Sequence, residues 1–279
     1  MIKRIYLLTP EIVPFAESYH LASISKEIPV VFNERKFDFR LMMPKYSFIS
    51  ERRYILREVI RLRDMELKYQ NKAVTASVKS AFIPNTKVQV YFLEHDNYYT
   101  NNVPDLYEEQ KDSEFGHNAL RFGYFASAAL ITLNYLRWKP EVILLNDWQM
   151  SLLPLLVKSN ILDNSYFDDV KILQILYSKN PRSKFALDDY KRIGLTNIDP
   201  ELIEDGDKLD CVAAAHNLSD HTLMINTTDD LLKTYTADPI FKRLFEDGKS
   251  KITTYNLKNE SPEEWQNFAD EIIRIAEKL

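Results

Sequence analysis

Residues 140–158 read Pro-Glu-Val-Ile-Leu-Leu-Asn-Asp-Trp-Gln-Met-Ser-Leu-Leu-Pro-Leu-Leu-Val-Lys, and this stretch decides the fold. Val142 to Leu145 form a short, continuous apolar run, which is typical of a strand buried on both faces. A second apolar segment, Leu152 to Val157, has helical length and follows a short polar tip. A buried strand, a polar tip and a helix make half of a βαβ unit, so the stretch predicts a parallel α/β sheet.

The polar tip of this unit holds Asn146, Asp147 and Gln149. In open α/β sheets the carboxyl ends of the strands face the ligand crevice, so we expect these side chains at the mouth of a cleft. A simpler alternative is that Asp147 only caps a helix beginning at Trp148, because Asp is a preferred capping residue. The sequence leaves both interpretations open.

The rest of the chain repeats the same alternation of strand and helix. Buried apolar runs alternate with helical segments, and they lie at 4–8, 38–43, 88–93, 142–145 and 171–176. This pattern predicts a Rossmann-like three-layer αβα domain with a mainly parallel sheet and the strand Val142 to Leu145 near its middle. Since no internal repeat, low-complexity tract or Gly/Ser linker interrupts the chain, we expect one domain over residues 1–279.

Three further segments have clear local signals. Residues 114–138 are apolar on most sides of a helix, which predicts a buried helix. The segments on either side of Asn71-Lys72 alternate loosely and suggest a β-hairpin. A helical pattern beginning at Leu21 is interrupted by Pro29, which should kink or end that helix.

The C-terminal segment has the strongest helix signal. Ser261 is a suitable cap, Pro262 suits the first helical position, and Glu264 would close a capping box. Large apolar residues then recur at spacings of three and four, namely Trp265, Phe268, Ile272 and Ile275. We therefore predict an amphipathic helix over 262–279 that docks on the domain.

Composition and charge exclude several classes of protein. An apolar content of 45% with 28% charged residues is ordinary for a globular chain. A net charge of −5 argues against a nucleic-acid partner. The single cysteine, Cys211, excludes an intrachain disulfide, and the longest uncharged run, Phe122 to Leu136, is too short to span a bilayer. With no signal peptide at the N-terminus, we expect a cytoplasmic protein with no membrane partner.

The few glycines and histidines argue against a phosphate loop or a metal site. The chain has five glycines, and no two are close enough for the Gly-x-Gly turn that phosphate-cradling loops use. No pair of histidines has the spacing of metal ligands. We therefore expect neither a cofactor nor a metal.

Several motifs in order resemble those of bacterial glycogen synthases and plant starch synthases. A strand is followed by Pro10 to Ala16 and then Leu21, where that family has Ser-x-Glu-Val-x-Pro-Phe and Lys-x-Gly-Gly-Leu. The other matching segments are Pro44-Lys45-Tyr46, Tyr91 to His95, Asn118 to Phe122, and Asn146 to Pro154. The likeness covers roughly residues 3 to 240.

The resemblance implies a fold and a set of site residues. Members of that family fold as two Rossmann-like domains facing a cleft, the GT-B arrangement, and this chain resembles the N-terminal, acceptor-side domain. The matching residues would face the cleft or a sugar: His95, Tyr98, Tyr99, Asn118, Arg121, Asn146, Asp147, Gln149 and Tyr177. The pair Tyr98 and Tyr99 could instead be core packing.

The departures from the family pattern matter as much. Where the family has its phosphate-contacting Lys-x-Gly-Gly loop, this chain has Glu17, Ser18, Tyr19 and His20. An anion in place of a cation would repel a diphosphate, and Tyr19 would fill the space that glycine leaves open. The family's second domain carries the catalytic Arg, Lys and Glu, and this sequence stops about where that domain would begin. We therefore expect no functional catalytic residue here.

Two function classes stay open at this point. One is a glucosyltransferase using ADP-glucose or UDP-glucose that a separate chain completes. The other is a non-catalytic relative that serves as a glucan-binding, partner-binding or regulatory module, with an α-glucan or a protein as its partner. The altered loop favours the second class. The sequence decides neither whether the chain is an enzyme nor its oligomeric state.

Overall fold

The computed structural model describes residues 2–100, 105–110, 113, 115–159, 164–204 and 206–279. Over these residues the chain forms a central sheet of ten strands, a small sheet of three strands and nine α-helices. The strands are β1 Arg4–Leu8, β2 Asp38–Pro44, β3 Arg57–Glu58, β4 Met65–Tyr69, β5 Lys72–Phe82, β6 Gln89–Glu94, β7 Val142–Asn146, β8 Lys171–Leu176, β9 Lys184–Ala186, β10 Ile203–Glu204, β11 Lys208–Asp210, β12 His221–Asn226 and β13 Ile252–Asn256.

The central sheet is mainly parallel, as predicted. Its order is β13-β12-β8-β7-β1-β2-β6-β5-β3, and β4 pairs with β5. The strands from β13 to β6 pair in parallel, and only the pairs that involve β5 are antiparallel. Strand β7 lies near the middle, between β1 and β8, and all five of its residues are buried.

The helices lie on both faces of this sheet. They are α1 Leu21–Glu34, α2 Glu51–Tyr54, α3 Asn118–Leu136, α4 Leu152–Lys158, α5 Leu187–Arg192, α6 Cys211–Leu218, α7 Leu231–Thr236, α8 Pro239–Asp247 and α9 Pro262–Ala276. The connection β1-α1-β2 runs one way along the sheet and β7-α4-β8 runs the other way. Because such crossovers are right-handed, α1 and α4 lie on opposite faces. Helix α9 packs on α1, whereas α3 and α6 pack on α4.

Pro29 does not end helix α1, so of the two outcomes expected from the sequence, a kink or an end, the second is wrong. The helix continues without a break to Glu34. Pro29 removes one backbone hydrogen bond, but Ile24, Ile28 and Phe32 on either side of it are buried against the core. Tertiary packing therefore holds the helix together where local propensity alone would stop it.

The hairpin prediction is correct, and the turn lies one residue earlier than expected. Strands β4 and β5 pair from Met65↔Ala76 to Tyr69↔Lys72. The two turn residues, Gln70 and Asn71, both have positive φ. This is the backbone of a type I′ turn, which matches the twist of the paired strands.

Helix α9 begins at Pro262 and packs on α1. The Ser261 hydroxyl accepts a hydrogen bond from the Glu264 N–H at 3.2 Å, as the cap signal predicted. The reciprocal half of the capping box is absent, because Glu264 instead accepts from the Tyr255 hydroxyl at 2.9 Å. The face with Phe268 is buried, and the Arg35 guanidinium of the segment after α1 pairs with Asp270.

No helix in the described part of the chain is long and apolar enough to cross a membrane.

We predict that removing the Phe268 ring strongly destabilises the fold. Phe268 is fully buried and its ring lies 5.0 Å from that of Tyr255. The substitution Phe268→Ala should cost about 3–5 kcal/mol, since it leaves a cavity between α9 and the sheet. Urea denaturation measures the loss. The neighbouring exposed residue provides the control, since Asn267→Ala should change stability by less than about 0.5 kcal/mol. Equal effects of the two substitutions would contradict the docked position of α9.

Candidate functional site

The carboxyl ends of β1, β7 and β8 lie side by side. The border of the sheet formed by these strand ends is called the carboxyl edge. Leu8 pairs with Leu145, and Asn146 pairs with Ile175. The residues that follow these strands are therefore neighbours in space although they are far apart in sequence. They include Asp147 after β7, with Asn146 as the last residue of that strand, and Tyr177 and Ser178 after β8.

Asp147 has an unusual backbone conformation. Its φ is 63° and its ψ is −176°, a region that almost only glycine adopts. Hydrogen bonds hold it there, since its N–H donates to the Ile175 carbonyl at 2.7 Å and its carbonyl accepts from the Met150 N–H at 3.1 Å. Its side chain makes no capping hydrogen bond. The interpretation that Asp147 only caps the next helix is therefore wrong.

The Asp147 carboxylate is fully buried and is satisfied by neutral donors. One oxygen, Oδ2, accepts from the Tyr19 hydroxyl at 2.8 Å and from the Ser178 hydroxyl at 3.1 Å. The other, Oδ1, lies 3.5 Å from the Tyr177 N–H. Burial raises the pKa of Asp147 to about 6, because the low-dielectric interior disfavours the charge. The hydrogen bonds from Tyr19 and Ser178 act in the opposite direction.

Tyr19 covers this carboxylate. Its hydroxyl donates to Asp147 and accepts from the Gln149 side-chain amide at 3.3 Å. Its ring makes edge contacts with the rings of His20, at 5.7 Å, and Tyr107, at 6.5 Å. Among the described residues, the buried atoms Gln149 Oε1 and His20 Nε2 have no hydrogen-bond partner. The phenol thus occupies the space in front of Asp147.

A second buried carboxylate, Glu11, fixes the loop that carries Tyr19. It accepts hydrogen bonds from the Ser18 N–H and hydroxyl and from the Tyr107 hydroxyl. Burial raises the pKa of Glu11, and the nearby charge of Glu17 adds to this shift. Sequence reasoning noted Glu11 only as part of a matching motif and missed its role. The sequence does carry a signal for this role, because Glu11 is the acidic residue within the otherwise apolar loop Pro10 to Ala16.

Asn146 connects three elements beneath this loop. Its side-chain amide donates to the Ser25 hydroxyl of α1 at 3.1 Å, and that hydroxyl lies 2.8 Å from the Thr9 hydroxyl. The Tyr177 hydroxyl donates to the Asn146 side-chain oxygen Oδ1 at 3.3 Å. Asn146 therefore joins β7 to α1 and to the segment after β8, and Thr9, Ser25 and Tyr177 are all buried.

Arg121 and Asn118 form a separate buried group at the start of α3. The Arg121 guanidinium is fully buried and donates to the carbonyls of Tyr98 at 3.0 Å and Leu106 at 3.3 Å. It also donates to the Asn118 side chain at 3.2 Å, and Asn118 in turn donates to the Tyr107 carbonyl at 2.9 Å. These bonds hold the segment after β6 against α3.

Tyr98 and Tyr99 are buried, and the half-buried His95 ring packs against Tyr98. His95 Nδ1 accepts from the N–H groups of Asn97 and Tyr98, so the proton of the neutral ring lies on Nε2. Burial lowers the pKa of His95, which favours this neutral form. Tyr98 and Tyr99 are buried among other aromatic rings, including Tyr124. Of the two interpretations of this tyrosine pair, the structure favours packing.

The predicted site residues thus fall into two groups. One surrounds the Asp147 carboxylate and consists of Asn146, Gln149, Tyr177, Tyr19 and His20. The other consists of His95, Tyr98, Tyr99, Asn118 and Arg121. The first group lies at the carboxyl edge as expected, but Asn146, Asp147 and Gln149 are buried instead of open to a cleft. Tyr19 lies against Asp147 and Gln149, whereas Asn146 bonds to Ser25 and Tyr177. Contact of either group with a sugar stays a prediction.

The described residues contain no group of three or more His, Cys, Asp or Glu side chains placed to hold a metal ion.

Comparison with known proteins gives a consistent likeness. A family profile described as starch synthase catalytic domain matches residues 4–229. A glycogen synthase of Chlorobium limicola is 28% identical over 229 residues, which are 82% of this chain and 46% of that protein. A glycogen synthase of Pelodictyon phaeoclathratiforme is 26% identical over 283 aligned positions, covering 97% of this chain and 55% of that protein.

A solved structure shows the same fold. The catalytic domain of starch synthase IV from Arabidopsis thaliana, bound to ADP and acarbose, matches with a TM-score of 0.72 at 16% identity. The match covers 91% of this chain and 51% of that one. The mainly parallel α/β fold is therefore that of a GT-B glycosyltransferase domain. The chain spans about half the length of the curated relatives it matches.

The backbone conformation of Asp147 predicts that a glycine variant is more stable than an alanine variant, which is the reverse of the usual order. Both Asp147→Gly and Asp147→Ala remove the carboxylate, but only alanine keeps a Cβ in the strained region. That strain costs about 1–3 kcal/mol, whereas the flexibility of glycine costs about 0.4–1 kcal/mol. In urea denaturation the glycine variant should be the more stable by about 1–2 kcal/mol. An alanine variant of equal or higher stability would show that this backbone is not strained.

The raised pKa of Asp147 predicts a pH-dependent stability. A carboxyl group with a folded-state pKa near 6 stabilises the fold fully below its unfolded pKa and loses that contribution as pH rises through 6. Asp147→Asn does not titrate, so the variant should gain about 2 kcal/mol relative to the native chain between pH 4 and pH 7. The other buried acids are present in both proteins, so their pH-dependent contributions cancel in the difference between the two stabilities. A difference that is flat with pH would contradict this prediction.

Proposed function

The chain belongs to the starch synthase catalytic-domain family, and we propose that it is a relative that does not transfer glucose from a nucleotide sugar by itself. The observation that carries this proposal is the hydrogen bond between Tyr19 and the buried Asp147 carboxylate. In the family pattern the position of Tyr19 is a glycine of the phosphate-contacting loop. A phenol bonded at this point leaves the polar edge of β7 closed.

The charges around this edge also oppose a nucleotide sugar. Glu11, Glu17 and Asp147 lie on or beside the loop, and none of the three pairs with a cation among the described residues. Transfer needs preorganised donors or cations against the leaving diphosphate, because negative charge develops there in the transition state. Losing one such group typically costs about a hundredfold to a thousandfold in rate. The family's lysine at this loop is Glu17 here.

If the chain does not transfer glucose by itself, its role is that of a binding or regulatory module related to the acceptor-side domain. The two buried polar groups, one around Asp147 and Asn146 and the other around Arg121, then serve to fix loops rather than to perform chemistry. An α-glucan or a partner protein is the ligand that fits this role, in line with the family to which the chain belongs.

One observation favours a second candidate function. Strained residues such as Asp147 cluster at active sites, where the surrounding structure holds them in place. A glucosyltransferase completed by a separate chain would use such a residue, provided that the second chain moved Tyr19 away from it.

We predict no chain extension by the purified protein. The assay supplies ADP-glucose or UDP-glucose with a maltooligosaccharide and follows product length, with a glycogen synthase such as that of Chlorobium limicola as the positive control. Extension by the native protein that disappears in Asp147→Ala would overturn the proposal. Extension only after a second protein is added, with the same dependence on Asp147, would establish the second candidate instead.

A further inference from the structure

Three large apolar side chains are exposed along one edge of the central sheet. Ile55 is 65% exposed, Ile60 is 85% exposed and Phe82 is 58% exposed. Strand β3 ends the sheet order, and it pairs with β5 so that Arg57 lies opposite Ser80. Ile55 precedes Arg57 by two residues and Phe82 follows Ser80 by two, so the pairing brings them to the same place on this edge. Single exposed apolar residues are common on surfaces, whereas three large ones on one short segment and the strand paired with it need an explanation.

The same edge is rich in arginine. Residues 52–63 read Arg-Arg-Tyr-Ile-Leu-Arg-Glu-Val-Ile-Arg-Leu-Arg, with five arginines and no lysine. All five side chains are exposed. Arg63 lies 3.4 Å from Glu58, whereas the other four form no ion pair with any residue in the described ranges. This is a local positive surface on a chain whose net charge is −5.

Other residues of the segment hold it in place. Leu62 is fully buried, and Tyr54, Leu56 and Val59 pack against the core. The Tyr54 hydroxyl donates to the Pro14 carbonyl at 2.8 Å, and the Val59 N–H donates to the Val78 carbonyl at 3.1 Å. The arginines and isoleucines that point outward are therefore displayed on a fixed backbone and are not needed to form the core.

Protection of a sheet edge does not account for this composition. Charged residues on edge strands prevent strands of different molecules from pairing, which would explain Arg57 alone. Exposed Ile55, Ile60 and Phe82 have the opposite effect, because apolar edge residues promote association. Arginine beside large apolar side chains is instead the composition of binding surfaces between proteins.

We propose that this arginine–isoleucine edge, residues 52–63 with Phe82, binds an acidic segment of a partner protein that also carries apolar side chains. The planar fork of a guanidinium binds a carboxylate with two parallel hydrogen bonds, which explains arginine without lysine. Glu58 and Asp64, 59% and 73% exposed, lie among the arginines. A peptide can place its few carboxylates away from them, whereas a continuous anionic lipid surface cannot. The proposal does not depend on whether the Asp147 site is active.

The test uses the full chain and a fluorescein-labelled peptide of alternating glutamate and valine, with fluorescence anisotropy as the readout. A lysine–valine peptide should not bind, and a glutamate–serine peptide should bind more weakly because it lacks the apolar contact. The double variant Arg57→Glu with Arg61→Glu should weaken binding at least about tenfold. The variant Arg57→Lys with Arg61→Lys keeps the charge but loses the fork, so its affinity should lie between the two.

A matched control separates this surface from net charge. Lys208→Glu with Lys258→Glu makes the same change in charge at exposed positions elsewhere and should leave the affinity unchanged. Urea denaturation checks that all variants keep the native fold. Equal weakening by both double variants, or no binding of the acidic peptide, would overturn the proposal. Binding to vesicles of phosphatidylglycerol and phosphatidylcholine that requires Arg57 and Arg61, without peptide binding, would also overturn it and assign the edge to a membrane.

Discussion

The buried carboxylate of Asp147 is the constraint on which the polar edge of the sheet depends. It lies directly after the central strand β7, in a backbone conformation that almost only glycine adopts. A buried charge must be satisfied by hydrogen bonds, and its donors come from two other segments, the loop after β1 and the turn after β8. The position of Tyr19 and Ser178 follows from this requirement, and the closed form of the edge follows from the position of Tyr19.

Three buried acids, Asp147, Glu11 and Asp210, accept hydrogen bonds from neutral donors, and burial raises the pKa of each. Glu11 accepts from Ser18 and Tyr107, and Asp210 accepts from the Ser183 hydroxyl at 2.8 Å and the Val212 N–H at 2.9 Å. Burial raises the pKa of Glu11 and raises that of Asp210 to about 6. Hydroxyl and amide donors reduce the cost of burying these groups but do not cancel it. These hydrogen bonds strengthen as the acids ionise, but the cost of burying the charge is larger, so ionisation lowers the net stability of the fold.

The two ends of the sheet order differ in how their apolar side chains are covered. Next to β13, helix α9 places Trp265 and Phe268 in the core and also packs on α1. At the β3 end, Ile55, Ile60 and Phe82 stay exposed beside unpaired arginines. One end is thus covered by the chain itself, and the other presents a surface of the kind that partners bind. The closed site and this edge meet at the loop after β1, where Tyr54 bonds to Pro14.

The sequence by itself determined the fold class, because buried runs such as Val142 to Leu145 and the caps and spacings of α9 are local signals that tertiary contacts reinforce. It also located Asn146 and Asp147 at the carboxyl end of the central strand. Only the tertiary structure decided that Pro29 stays within a helix and that Tyr19 closes over Asp147. Both outcomes depend on contacts between residues far apart in sequence, and no local sequence pattern predicts such contacts. One is the packing around α1, and the other is the 2.8 Å hydrogen bond between Tyr19 and Asp147.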